Sequence, residues 1–259
     1  MPTTLLQITD CHLKVDKGTL FHDINPYQRL AKCLDYAYQK QANSANNVGA
    51  ILLTGDLVQD EVASSYQQLV ELVNQYQWQV PICLVPGNHD VPELFTEAKQ
   101  AIGAHNQPLL KIANWQIVLF DSYAADGKGA GKVDEVQVDN IYQLLKTHQA
   151  DYLLAVLHHH LTPYGGFIDK YPLQDSQYFY NWLDEQAKSK QNKLKAIVHG
   201  HVHSTDCKYL AITPVFAGIA SCLQFVHATE ALNTKEFGLS QIQLFEDGRV
   251  TSTAIYLND

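Results

Sequence analysis

Five short apolar runs in the chain end directly in residues that can bind a metal or move a proton: ITDCH (8–12), LTGD (53–56), VPGNHD (85–90), AVLHHH (155–160) and IVHGHVH (197–203). Apolar runs of this length, bounded by turn residues, read as buried strands. Each polar cluster therefore lies at the carboxyl end of a strand. Beyond those ends, in α/β sheets, residues remote in sequence converge on a ligand.

The segments between the runs carry a helical period: Pro26 to Gln41, Ser65 to Tyr76, Glu93 to Ile102, Glu135 to Lys146 and Ser176 to Lys188. In the first, Leu30, Cys33, Leu34, Ala37 and Tyr38 share one face, and Asn25 followed by Pro26 marks a helix start. Strands alternating with helices predict an α/β protein with a largely parallel sheet. After residue 194 the order changes, because LKAIVHG, YLAITPVFAGIA, GLSQIQLF and RVTSTAIYL leave little room for helices. These four predict a second, partly antiparallel sheet whose last hairpin turns at Asp247 and Gly248. With no repeat or linker, residues 1–259 read as one domain. Two long loops, 124–132 with Gly127, Gly129 and Gly131, and 162–173, are candidates for function.

The 27 acidic residues outnumber the 18 basic ones, a balance that repels polyanions and argues against long nucleic acid as a partner. Cys11, Cys33, Cys83, Cys207 and Cys222 are odd in number and form no C-x-x-C pair, which fits reduced thiols in a cytoplasmic protein. No basic residue precedes Lys14 and no run of eighteen apolar residues occurs, so neither an export signal nor a membrane partner is expected.

Each polar cluster has a bland reading when taken alone. Asp10 with His12 could cap a strand, Gly55 with Asp56 could turn the chain, and Asn88 and Asp90 could bond to nearby backbone. His201 and His203 could be a surface pair. All five bland readings would have to hold together at matching strand ends, and a shared site is the simpler account. On an extended chain Asp10 and His12 point the same way, as do His201 and His203. Carboxylate, amide and imidazole without thiolate suit manganese, iron, zinc or, less tightly, magnesium. Asp10, His12, Asp56, Asn88, His158, His201 and His203 exceed one ion's share of ligands, and Asp56 could bridge two. Two divalent ions set against two carboxylates and a hydroxide leave one positive charge, which matches a phosphodiester anion.

With D-x-H, G-D, G-N-H-D, a strand-end histidine and G-H-x-H in that order, the chain resembles the calcineurin-like metallophosphoesterase superfamily between Asp10 and His203. The resemblance implies a two-sheet β-sandwich flanked by helices. It implies one divalent metal held by Asp10, His12, Asp56 and His203 and a second held by Asp56, Asn88, His158 and His201. His158 stands first after the apolar run, where the family places its ligand, and His159 is the alternative. Within the superfamily, LLQITDCHL, TGDLVQD, CLVPGNHD, LHHH, GHVH and ASCLQF are similar to the class III 3′,5′-cyclic nucleotide phosphodiesterases. That likeness implies hydrolysis of a small phosphodiester, 3′,5′-cyclic AMP to 5′-AMP, by attack of a hydroxide bridging two manganese or iron ions, with zinc or magnesium as alternatives. His89 would stabilise the phosphoryl group or protonate the leaving oxygen, Asp90 would orient His89, and Asn88 and His203 would also face the substrate.

Other members of the superfamily supply the rival readings: a nucleotide-sugar or lipid pyrophosphatase, a phosphoprotein phosphatase, a general phosphodiesterase, or a non-catalytic scaffold. None of the seven ligand positions is missing, which disfavours the scaffold. In HHHLTP the proline that many members carry soon after the histidine pair is delayed to Pro163, which alters the expected pocket. His22, Tyr164, Gln224 and Phe225 are weaker pocket candidates, and Cys11 is expected in the core.

Overall fold

The computed structural model describes residues 1–126, 128–188 and 193–259; Gly127, singled out above, lies outside them. The strands expected from the apolar runs form β1 (Thr3–Ile8), β2 (Val48–Thr54), β3 (Ile82–Val85), β5 (Trp115–Leu119), β6 (Tyr152–Val156) and β7 (Leu194–His199). Short strands β4 (Leu109–Ile112), β8 (Cys207–Leu210), β9 (Thr213–Ala217), β10 (Gln224–Val226) and β11 (Ala231–Asn233), and the closing hairpin β12 (Gly238–Leu244) and β13 (Val250–Tyr256), complete the described strands. One sheet has the order β13-β12-β1-β2-β3, the other β4-β5-β6-β7-β9-β8, and β10-β11 stand apart as a two-stranded ribbon.

Strand alternation explains how these sheets stack, since successive side chains face opposite sides. Leu5, Ala50, Leu52, Val85, Ile117, Leu119, Leu154, Val156, Ala196 and Val198 pack together as the layer between the two sheets. Leu6, Ile8, Ile51, Leu53 and Leu84 face the other way, against α1 (Pro26–Ala42), α2 (Ala63–Asn74) and α3 (Pro92–Ile102). On the far side, Val118, Phe120, Ala155, Leu157 and Ile197 meet α4 (Glu135–Thr147) and α5 (Gln177–Lys188). The result is the expected two-sheet sandwich flanked by helices. Local signals set the helix ends: Asn25 accepts from the N–H of Gln28 at the start of α1, and Gly103, at φ 70°, closes α3.

One expectation needs correction. The last four strand-like runs do not make one second sheet. β7, β8 and β9 extend the β5-β6 sheet, whereas the β12-β13 hairpin crosses to the first sheet and pairs antiparallel with β1. The physical reason is burial: Leu5 lies opposite Ile242, and Ile242 and Leu244 enter the layer between the sheets. The hairpin itself turns where expected, with Phe245 and Arg249 bonded across Asp247 and Gly248. Among the described residues no helix is long and apolar enough to cross a membrane.

Candidate metal centre

The loops that leave β1 and β2 stay side by side, because the N–H of Asp10 donates to the carbonyl of Gly55 and that of His12 to the carbonyl of Asp56, both at 3.0 Å. The chain there is left-handed, and not extended as strand geometry led one to expect. Asp10, His12, Asp56, His201 and His203 all have positive φ, between 44° and 71°, and make up five of the twelve non-glycine residues of that kind among the described residues. Left-handed backbone costs an L-residue roughly 1–2 kcal/mol, and such strain clusters at functional sites. The side chains still converge, by a tight coil of each loop rather than by strand alternation.

Two glycines make that coil possible. Gly55 has φ 89°, and a Cβ there would strike the ring of His158; a Cβ on Gly87 would strike the backbone N and carboxylate of Asp56. The carboxylates then join neighbouring loops: Asp10 accepts from the N–H of His201 at 3.0 Å, and Asp56 accepts from the N–H of His89 at 2.9 Å.

The histidines show what the centre is prepared to hold. Nδ1 of His12 donates to Gln59 Oε1, that of His203 to the Leu223 carbonyl and that of His158 to the Thr54 carbonyl, each at 2.8 Å. Nε2 of His201 donates to the Tyr171 carbonyl at 3.0 Å. Each ring thus spends one nitrogen on a fixed acceptor and turns the other inward, the outer-shell pattern of metal-ligating histidine. Nε2 of His12 and Nε2 of His203 face each other at 3.1 Å, close enough to share a proton or to bind one cation together. Oδ1 of Asn88 is buried with no hydrogen-bond partner among the described residues, and Nε2 of His158 is buried with only the Asp56 carboxylate near it. Asp56 Oδ2 stands 3.8 Å from His12 Nε2 and 3.4 Å from His158 Nε2, between the two expected ligand sets. These residues fit divalent ions. His159 does not, because Nδ1 meets Ser122 Oγ at 2.8 Å and Nε2 the Gly129 carbonyl at 3.2 Å, which leaves no free lone pair.

The electrostatics agree with a cation trap. Burial alone would push the imidazole of His158 down, yet Asp56 and Asp10 outweigh it and hold the ring at about 9. Burial likewise opposes, and Asp10 at 3.3 Å reverses, the shift of His203, which ends well above the usual range. Burial raises both carboxylates, but His203 brings Asp10 below its usual range and His158 with His12 brings Asp56 well below. Without a metal these shifts favour a proton in the place that the carboxylates offer to a cation.

The pair that ends the GNHD cluster behaves differently from expectation. His89 lines the cleft over the centre, edge-on to His12 at 5.3 Å, and its imidazole makes no hydrogen bond among the described residues. Among the described residues no hydrogen bond joins Asp90 to that ring. Its carboxylate is buried and accepts from the N–H of Gly87 at 2.8 Å, the N–H of Leu57 at 3.4 Å and the hydroxyl of Tyr66 at 3.0 Å. Tyr66 in turn accepts from the N–H of Val91 at 2.8 Å. Asp90 therefore braces the turn that carries Asn88 and His89, because three donors inside the fold compete for it and win.

The cleft has a volume of about 380 Å³. Asp56, His12, Asn88, His89, His201 and His203 line one end; Phe167, Ile168, Tyr171, Phe225, Gly129, Lys128 and Glu61 complete the wall. Asp10 and His158 lie beneath, fully buried. Of the weaker candidates, only Phe225 reaches the cleft. Tyr164 bonds His199 in the interior at 2.9 Å, Gln224 bonds the Ala220 backbone, and His22 packs edge-on to Phe21. Cys11 is buried as expected. Phe167, Tyr171 and Gly129 were foreshadowed only as members of long loops, and Gln59 and Tyr66 carried no sequence signal.

Residues 3–205 match the family model described as calcineurin-like phosphoesterase. The chain belongs to that family. Along 95% of its length it is 31% identical to the 3′,5′-cyclic adenosine monophosphate phosphodiesterase CpdA of Haemophilus influenzae, covering 87% of that protein. It is also 31% identical to a probable cyclic nucleotide phosphodiesterase of Colwellia psychrerythraea, over 99% of this chain and 95% of the other. Among solved structures, a putative 5′-nucleotidase from Staphylococcus aureus superposes on the whole chain with a TM-score of 0.54 at 13% identity; the chain spans 54% of that longer protein. At that identity the likeness shows the calcineurin-like fold alone. Family membership makes the chain a metal-dependent hydrolase of phosphate esters, and the histidines and carboxylates described above are groups that could bind its divalent ions.

Proposed function

We propose that this phosphoesterase hydrolyses 3′,5′-cyclic nucleotides, cyclic AMP in particular to 5′-AMP, using two divalent ions. The observation that carries the reading is the position of Asp56 Oδ2 between His12 and His158, each of which turns toward it the ring nitrogen that its fixed acceptor leaves over. Asp10, His12, Asp56 and His203 would hold one ion, and Asp56, Asn88, His158 and His201 the other. Bound there, divalent ions would supply Lewis acidity and a water acidic enough to act as nucleophile near neutral pH. The likeness, over most of both chains, to a cyclic AMP phosphodiesterase and to a probable cyclic nucleotide phosphodiesterase supports the substrate class.

The chain's own residues supply the rest. The N–H groups of His201 and His89 hold Asp10 and Asp56 in their ligand positions. His89, with its imidazole free at the wall of the cleft, would meet the phosphoryl oxygen and give a proton to the departing 3′-oxygen. Asn88 and His203, on the same wall, would border the substrate. Five unpaired cysteines, four of them buried, suit the reducing cytoplasm as the compartment of this activity.

Turnover of cyclic nucleotides, linear diesters, phosphomonoesters and pyrophosphates after reconstitution with manganese, iron, zinc or magnesium tests the reading. Cyclic AMP should be hydrolysed with the highest kcat/KM, and a chelator should abolish the reaction. Preference for a monoester or a pyrophosphate would overturn the substrate assignment. Asp56→Ala should lose more metal than Asn88→Ala, since only Asp56 would touch both ions; retention of both ions by Asp56→Ala would remove the bridge.

A further inference from the structure

The cleft over the metal centre has two chemically different ends, and only the polar one has a role so far. The other is built by the 162–173 loop, which carries none of the metal-ligand motifs, and by Phe225 at the end of ASCLQF. The 3-10 turn Gly166–Lys170 presents Phe167, and Tyr171 follows it, its ring standing against Gly129 of the facing loop. Phe225, on β10, lies parallel to the ring of His203 with centroids 4.1 Å apart and meets Phe167 edge-on at 5.0 Å. Tyr171 is 37% exposed, and Phe167 and Phe225 are half-buried, so rings border open space beside residues that would hold the phosphate.

A ligand suited to this cleft carries an anion at one end and a flat apolar group at the other. A space of about 380 Å³ falls within the range of small-ligand sites and is short for a lipid with its acyl chains. Flat rings in an edge-to-face array offer a stacking surface that any nucleobase can use, since every base has a π-face. We propose that Phe167 and Tyr171, backed by Phe225, form the subsite that stacks the nucleobase of the substrate. The inference rests on the cyclic-nucleotide reading and deepens it. Because Phe225 covers His203 while Phe167 and Tyr171 line the outer wall, base recognition and the phosphate end meet through a single ring pair, and the distance between them is set by the 3-10 turn. The Tyr171 carbonyl also receives His201, so the same turn fixes a candidate ligand and one wall of the base subsite.

The test compares inhibition of bis(4-nitrophenyl) phosphate hydrolysis by 5′-AMP and by ribose 5-phosphate, which lacks the base, in manganese-loaded protein. Stacking predicts that 5′-AMP inhibits at least about tenfold more tightly than ribose 5-phosphate in the wild type. Phe167→Ala and Tyr171→Ala should collapse that ratio toward one, with manganese content retained, because the His201 contact uses the backbone of Tyr171. Phe167→Leu, which keeps bulk and removes the ring, should lower the ratio as well, and it guards against a misfolded alanine variant. Equal inhibition by the two compounds in the wild type, or an unchanged ratio in these variants, would overturn the subsite. The ratio is read independently of cyclic AMP turnover: cyclic AMP hydrolysed with a ratio of one sinks the base subsite alone. A high ratio that Phe167→Leu lowers, in a protein that leaves cyclic AMP intact, upholds the subsite and sinks the reaction proposed above.

Discussion

His89 and Asp90 are neighbours in sequence with separate physical tasks. The imidazole of His89 is unbonded at the cleft wall, whereas the carboxylate of Asp90 is enclosed by the N–H groups of Gly87 and Leu57 and the hydroxyl of Tyr66. His89→Ala should therefore keep both metals and lower kcat on cyclic AMP by roughly 10²–10⁴, the usual contribution of a positioned acid or base. A nitrophenyl diester, whose leaving group departs without a proton, should lose less; equal losses on both substrates would leave His89 with charge stabilisation only. Asp90→Ala should behave differently, because it strands two buried backbone donors at about 1–3 kcal/mol for each unsatisfied group. It should lower the thermal midpoint and loosen the metal ion next to Asn88, both measurable by scanning calorimetry and elemental analysis. Normal metal content with a defect confined to kcat would restore the orienting role that adjacency in sequence suggests.

The loops that carry the centre are continuations of strand ends, and their close approach depends on where a Cβ is missing. Gly87 lies against the backbone of Asp56, which cannot swing away as a long side chain could, so Gly87→Ala should displace one loop and release metal. Gly103, by contrast, is left-handed with open space around it; Gly103→Ala should cost about 1 kcal/mol of stability and leave metal content intact. If both variants behaved alike, the crowding between the GNHD and GD loops would carry no weight. This difference also explains what could be read in advance. The strands β1, β2, β3, β6 and β7 and the helices α1 to α5 announced themselves by apolar run or period, because those signals are local, and the metal-binding residue types follow the strand ends directly. β4 is four residues long with two of them exposed or half-exposed, and β10 and β11 are three residues each, too short for a period. The placement of β12 beside β1, the grip of Tyr66 on Asp90 and the acceptor role of Gln59 toward His12 join positions from 24 to more than 200 residues apart. Such pairings depend on which surfaces meet, and no spacing rule within one segment encodes them.

Across the whole molecule, the sandwich buries more histidine than the proposed metal set would use, and the excess adds to the response of the metal-free fold to acid. His199 and His160 are buried, in β7 and just beyond β6. Burial pushes His160 down to about 4 against the pull of Asp169, and burial pushes His199 to about 3 against the pull of the Gly200 carbonyl, with neighbouring histidines adding to both shifts. Each stays neutral in the fold at a pH where the unfolded chain, with an ordinary imidazole near 6.5, is charged. The unfolded state then binds more protons, and stability rises with pH wherever that holds. Above about pH 6.5 neither group affects stability; below it the fold loses free energy, and the loss levels off near pH 4 for His160 and near pH 3 for His199. The ceiling is roughly a few kcal/mol for each. Guanidinium unfolding of the metal-free chain between pH 7.5 and 4.5 should show this decline, and His160→Gln should make it shallower while leaving the slope above pH 6.5 unchanged. A decline as steep in His160→Gln as in the wild type would mean that His160 takes up its proton without unfolding, with Asp169 3.6 Å away as the partner that admits it.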